Sequence, residues 1–372
     1  MIEKVINIRN LQRAYYQVYS NQGSAGVDGM SVTALSKHLQ LNRKRILTAI
    51  VKGEYQPQFI LGVSIPKSNG KARLLGIPTV TDRWLQQAVH QVIMPQFERE
   101  FKENSYGFRP NRNAQQAVKQ SLKNINEGYK HIVDIDLQNF FDEVDHCIIL
   151  QLLYRKVKCS LTLRLIRKWL TAPILINGKL TKRRKGVPQG SPLSPLLSNI
   201  MLHELDTELE KKGHRYVRYA DDFSIYTKTK TAAEKVNKYI NKFLKDKLKL
   251  IVNQDKSGIR KPTQFEILGY TFTSTFNKGD KDKYQLIASK KSWTRLKMNL
   301  KMITRKTTPS SLNERIFKLR EVQRGWLQYF RIGSILGKLK DLDGWGATGC
   351  GTASGQIGRN QIGKERILFV WE

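Results

Sequence analysis

The sequence predicts an α+β fold. Short strands and helices interleave up to about residue 289, and an all-helical, strongly basic segment follows. Three observations carry this. Apolar runs of strand length are joined by turn residues, as where 60–65 and 73–77 flank Asn69-Gly70. Between such runs lie stretches with apolar residues at helical spacing. Near Lys290 the composition shifts to a helical, cation-rich pattern, as in Arg295-Leu296-Lys297-Met298. A chain of 372 residues with 40% hydrophobic content can build two or three domains with real cores.

The elements follow in order. Residues 1–55 carry short helical patterns around the turn-like string from Asn21 to Gly29. Residues 60–80 read as a hairpin. Asp82 is expected to open a helix with Trp84, Leu85, Ala88, Val89 and Val92 on its apolar face. Glycine and proline interrupt at 105–110, and a helix is expected over about 114–128. In the strand 131–137, alternation places Asp134 and Asp136 on one face and Val133, Ile135 and Leu137 on the other. A helix then begins at 138 or 139. A glycine- and proline-rich loop at 186–195 leads into a helix ending at Gly213. Two short strands over 214–228 flank Asp221-Asp222, a helix covers about 231–249, and strands follow at 267–274 and 285–288.

Charge narrows the function. Lys and Arg number 65 against 31 Asp and Glu, a formal net charge of +34. A surplus of that size attracts polyanions, and nucleic acid is the leading one. The three cysteines form no C-x-x-C pair and do not cluster with histidine, which argues against zinc and against a disulfide framework. The start, MIEKVINIRN, lacks a signal-like apolar run, and no stretch approaches the length of a membrane span. The expectation is a soluble, cytoplasmic protein without a membrane partner.

The carboxylates supply the chemistry. Asp136 lies on an apolar strand, and Asp221 and Asp222 lie at a strand-turn-strand junction. A single half-buried Asp in so basic a chain would be read as a salt-bridge partner. Three of them, two adjacent in an apolar hairpin, are better explained by a hard cation. Oxygen ligands without His or Cys point to Mg²⁺, with Mn²⁺ as a substitute. Two metals held in this way serve nucleotidyl transfer.

Tyr219-Ala220-Asp221-Asp222 resembles the Y-x-D-D signature of reverse transcriptases, and further blocks accompany it in the family's order. Asp136-Leu137-Gln138-Asn139-Phe140-Phe141-Asp142 is similar to the first catalytic motif. Pro188-Gln189-Gly190-Ser191-Pro192-Leu193-Ser194-Pro195 is similar to the P-Q-G-x-x-x-S-P block. Ile65-Pro66-Lys67 with Arg73-Leu74-Leu75-Gly76-Ile77-Pro78 resembles a fingers block, and Tyr106-Gly107-Phe108-Arg109-Pro110 the next. Asn253-Gln254-Asp255-Lys256-Ser257 and Phe265-Glu266-Ile267-Leu268-Gly269-Tyr270 resemble the last two palm blocks. Gly26-Val27-Asp28-Gly29 and Arg324-Gly325-Trp326-Leu327-Gln328-Tyr329-Phe330 are similar to the extension and the thumb (domain X) of group II intron-encoded proteins.

The resemblance implies a right-hand polymerase: fingers and a palm with a small antiparallel sheet, followed by an α-helical thumb. It implies an N-terminal extension over 1–55, fingers and palm over 56–289, and a thumb over 290–345. By position, Asp136, Asp221 and Asp222 would be catalytic metal ligands. Lys67, Arg73, Gln189 and Lys256 would contact the incoming nucleotide. The ring of Phe141 would collide with a ribose 2′-hydroxyl and so select dNTPs. Asp134, Asp142, Asp82-Arg83 and His146 are read as structural. The implied function is RNA-directed DNA polymerisation on an RNA template from a DNA or RNA primer. Binding of group II intron RNA and assistance in splicing come with it. Two alternatives are a stand-alone reverse transcriptase in repair or phage defence, and a splicing maturase without productive polymerisation.

The tail at 346–372 departs from the family's pattern. It is glycine-rich and a poor helix from Gly346 to Gln361. Suitable synonymous codons for 349–362, read one base earlier, spell L-R-Y-C-I-W-A-D-W-K-K-P-D-R, close to the expected thumb text. A single-base frameshift near Trp345 that truncates the thumb is the hypothesis, and the coding DNA decides it. No endonuclease domain is expected, so target-DNA cleavage is not.

Overall fold

The computed structural model describes residues 1–66, 70, 72–275, 283–305, 309 and 311–339. Lys67 and the tail at 346–372 lie outside the described residues. The chain forms two compact units. The first comprises 1–113, 133–225 and 231–258; the second comprises 114–132, 226–230 and the chain from 259 on.

The first unit begins with α1 (Ile2–Ile6), α2 (Ile8–Ser20) and α3 (Leu35–Val51). Leu11, Ala14 and Val18 recur at helical spacing and are the buried residues of α2. The hairpin expected around Asn69-Gly70 is present as β1 (Ile60–Pro66) and β2 (Ala72–Ile77), antiparallel with Leu61 opposite Ile77. The next helix, α4 (Val80–Glu98), starts two residues before the expected Asp82. Thr79 is the cap, its hydroxyl accepting the Asp82 N–H at 3.2 Å. The Asp82 carboxylate is buried and structural. It accepts from Tyr55 Oη, Thr79 Oγ1 and Trp169 Nε1, each at 2.9 Å, and from the Gln58 N–H at 3.2 Å. Burial raises its pKa, and those four bonds hold it down.

The chain continues through α5 (Ala114–Asn126), β3 (His131–Ile135), α6 (Phe140–Glu143), α7 (His146–Tyr154) and α8 (Ser160–Thr171). Two three-residue strands, β4 (Ile174–Ile176) and β5 (Lys179–Thr181), were not expected. β4 pairs in parallel with β1, Ile60 opposite Ile174, giving the sheet order β2-β1-β4-β5. Then come α9 (Ser194–Lys211), β6 (Arg215–Tyr219), β7 (Asp222–Thr227), α10 (Lys230–Leu248) and β8 (Gly258–Arg260). A second sheet has the order β6-β7-β3-β8. Ile132, Val133 and Ile135 of β3 and Val217, Phe223 and Ile225 of β6 and β7 are at most 1% exposed, which makes this sheet a core element.

The strand expected over 267–274 is broken in two, β9 (Glu266–Ile267) and β10 (Tyr270–Ser274), because Leu268 and Gly269 both take positive φ and make a tight turn. β10 pairs antiparallel with β11 (Tyr284–Ala288). The helices α11 (Lys290–Thr304) and α12 (Leu312–Phe330) follow, as the composition shift predicts. Within the second unit Trp293, Trp326, Phe330 and Tyr270 form a chain of ring contacts, with centroids 4.4 to 4.8 Å apart. Among the described residues, no helix is long and apolar enough to cross a membrane.

Candidate active site

Every described residue of the expected site lies in the first unit. Asp136 follows the end of β3. Its N–H donates to Ser257 Oγ at 3.0 Å and its carbonyl accepts from the Asn253 N–H at 2.8 Å. The 251–257 segment therefore fixes Asp136 and also delivers Lys256, whose Nζ stands 3.4 Å from Asp136 Oδ2. Asp221 comes from the turn between β6 and β7, and Asp222 opens β7, which lies next to β3 in the sheet.

These carboxylates share one electrostatic neighbourhood. The Asp222 pKa is pushed up to about 6, first by desolvation and then by Asp221, Asp136 and Asp134, with Lys256 opposing. Its side chain keeps solvent contact while the surrounding protein still withholds hydration. Asp221 is raised too, by desolvation and by Asp136, against the pull of Arg73 and Arg218. The carboxylates repel one another through space, yet no three His, Cys, Asp or Glu side chains among the described residues close around a common point. Lys256, Arg73 and Arg218 are countercharges on hand. The donor set is all oxygen, which fits a hard divalent cation. Asp134, read from the sequence as structural, adds its charge to the field on Asp222.

Arg73 and Gln189 come together from segments far apart in sequence, the Arg73 Nε donating to Gln189 Oε1. The approach is possible because backbones meet there without side chains. A Cβ on Gly190 would lie 2.6 Å from the Gly76 carbonyl oxygen. Phe141 is half-buried, with its ring edge-on to Phe140 at 5.4 Å. Its carbonyl accepts the Val187 N–H at 2.7 Å, and the Gly186 N–H donates to Val144 O at 2.7 Å. The loop bearing Gln189 is thereby laced to the helix bearing Phe141. His146 Nε2 and Arg183 Nη2 both donate to the Gly186 carbonyl, at 2.8 and 2.7 Å.

Sequence reading missed Arg218. It is fully buried beneath the Asp221-Asp222 turn, bonded to Asp206, Asn199 and the Ala220 carbonyl. In the sequence it is one cation among many, and its only signal is its position between apolar residues of β6.

Comparison with known proteins gives a consistent result. Residues 65–272 match the family described as reverse transcriptase (RNA-dependent DNA polymerase), and residues 293–347 match the group II intron maturase-specific domain. Protein YkfC of Escherichia coli (strain K12) is 34% identical over 272 residues, covering 63% of this chain and 71% of that one. The group II intron-encoded protein LtrA of Lactococcus lactis subsp. cremoris is 30% identical over 323 residues, covering 69% of this chain. The chain spans about half of LtrA, 54% of its length. Among solved structures, a chain of a partial Cas6-RT-Cas1–Cas2 complex aligns at 26% identity and a TM-score of 0.42, over 66% of this chain and 42% of that one.

Proposed function

Because the chain belongs to the reverse transcriptase (RNA-dependent DNA polymerase) family, in its group II intron maturase branch, we propose that it extends a primer by copying an RNA template into DNA. The observation that carries the reading is the placement of Asp136 after β3 and of Asp221 and Asp222 where β6 passes into the neighbouring strand β7, so that the Asp136 charge acts on both of the others in one repulsive field. Such a field is costly alone and is relieved by a hard cation. The three Asp would hold Mg²⁺, or Mn²⁺ in its place. Two such ions would supply the chemistry of nucleotidyl transfer, one lowering the pKa of the attacking 3′-hydroxyl and the other bracing the leaving pyrophosphate.

The chain's own residues position the reactants. Lys67 and Arg73 offset the charge of a triphosphate. Gln189, tethered by Arg73, has a fixed side chain to lay against the incoming nucleotide. Lys256, beside Asp136, would meet phosphate oxygens of the incoming nucleotide. Phe141 blocks the space a 2′-hydroxyl would need, so dNTPs are preferred. The match of 293–347 to a maturase-specific domain favours a second activity, the binding of group II intron RNA.

The test is primer extension on an RNA template with Mg²⁺ and dNTPs. Asp221→Ala is expected to lose at least about a hundredfold in rate while its melting temperature and RNA affinity hold. Extension by that variant at the parent rate would remove the carboxylates from the mechanism. Absence of extension in the parent, with intron RNA still bound, would leave the maturase activity alone.

A further inference from the structure

The turn carrying Asp221 and Asp222 is held in a conformation its sequence does not favour. Ala220 has φ +57, a left-handed backbone that Gly, Asn or Asp adopts far more readily. Ala offers no side-chain bond to compensate, so the surroundings must impose the geometry.

Two supports do this. From one side, Arg218 Nη1 donates to the Ala220 carbonyl at 2.9 Å. The guanidinium is itself locked, with Nε donating to Asp206 Oδ1 at 2.8 Å, Nη2 paired with Asp206 Oδ2, and Nη1 also donating to Asn199 Oδ1 at 2.9 Å. Arg218 and Asp206 are 0% exposed and Asn199 is 1% exposed. From the other side, Gly107 abuts the turn so closely that an added Cβ would sit 2.3 Å from the Ala220 nitrogen. Asn199 joins the two supports, because its Nδ2 donates to the Gly107 carbonyl at 2.9 Å.

A buried ion pair is a poor device for stability, since well-packed apolar residues of similar volume often serve as well or better. What this pair supplies is direction. A fork fixed at both ends points one N–H at one carbonyl. We propose that Arg218, Asp206 and Asn199 are positioning residues that set the Ala220 peptide and thereby aim the Asp221 and Asp222 carboxylates at the metal. The proposal rests on the reading of those two Asp as metal ligands.

The experiment separates fold from aim. In Arg218→Met/Asp206→Leu both charges go, so neither is left unpaired. We expect a melting temperature within a few degrees of the parent and dNTP KM within about twofold. The extension kcat falls about 10–100-fold, and the Mg²⁺ concentration for half-maximal rate rises several-fold. Asn199→Ser, which leaves the ion pair intact, should show the same pattern at about a tenth of the size and decides the matter if the double variant does not fold. Folded variants with the parent's kcat and Mg²⁺ requirement would reduce the network to packing and overturn the proposal. An Asp221→Ala control run alongside tells the two failures apart. If it extends normally, the ligand reading fails; if it is dead while the network variants are fully active, only the positioning role fails.

Discussion

At the residue scale, the informative number is the pKa of Asp222. A carboxyl near 6 in the fold and 3.8 as its ordinary value resists ionisation when folded. Below the lower value both states are protonated and the group costs nothing. The cost develops as pH rises between the two values and persists above about 6. Removing the charge should therefore stabilise the metal-free protein at neutral pH, the reverse of what removing a salt-bridged Asp does. With solvent screening of this exposed side chain allowed for, the gain in Asp222→Asn is about 1 kcal/mol, or roughly 1 °C for a chain of this size. Thermal melts in EDTA at pH 7.5 and pH 4.5 read it directly. The variant should melt higher at pH 7.5, and the difference should shrink at pH 4.5. An equal or lower melting temperature at pH 7.5 would mean that the carboxylates do not strain one another.

The same scale shows what could be read from sequence. As candidates for the site, Asp136, Asp221, Asp222, Arg73, Gln189 and Lys256 were legible because each sits in a local block with its own residue pattern. Arg218 was not, because a guanidinium's burial depends on Asp206 and Asn199, which reach its strand from the helix α9. No local pattern encodes that meeting.

Among the elements, the loop at 183–190 behaves as one piece with α6. Gly186 is at φ +86, and a Cβ there would meet the Asp142 carbonyl oxygen at 2.8 Å. Gly186→Ala should push the loop off the helix and move Phe141 and Gln189 apart. The expected readout is the preference for dATP over ATP, falling about tenfold, on the scale of roughly 1–3 kcal/mol that an overpacked, positive-φ site costs. A variant that loses stability but keeps its sugar preference would detach the loop from discrimination. Hairpins marked by Asn69-Gly70 and by the Asp pair were legible as elements. β4 and β5 were not, although Asn177-Gly178 lies between them at φ +47 and +78. Three residues a side carry too little alternation to be seen, and the partner of β4 is remote. The break at Leu268-Gly269 has no local signal beyond one glycine, because strand-like residues continue on both sides of it.

For the whole molecule, the net charge of +34 makes a statement about binding that no single contact does. If template and primer are gripped mainly through phosphates, affinity should fall steeply with salt. Six to ten contacts correspond to a loss of about 10³–10⁵-fold between 50 and 200 mM. Titrations of a labelled RNA–DNA duplex across that range give the slope, and a shallow slope would refute a phosphate-dominated grip. The α+β class and the change to a helical, basic segment after 290 were legible at this scale because composition and periodicity act over tens of residues.

The parallel pairing of Ile60 with Ile174 also sets a schedule for the nascent chain. The hairpin of β1 and β2 leaves the ribosome complete, but β1 keeps one edge open until β4 has been made. At about 5–20 residues per second, that interval is roughly 5–20 seconds. Throughout it, an apolar strand containing Ile60, Leu61, Val63 and Ile65 offers unpaired backbone to any neighbouring chain. Yield of soluble protein should therefore respond to translation speed and to chaperone supply more strongly than to changes in the finished core.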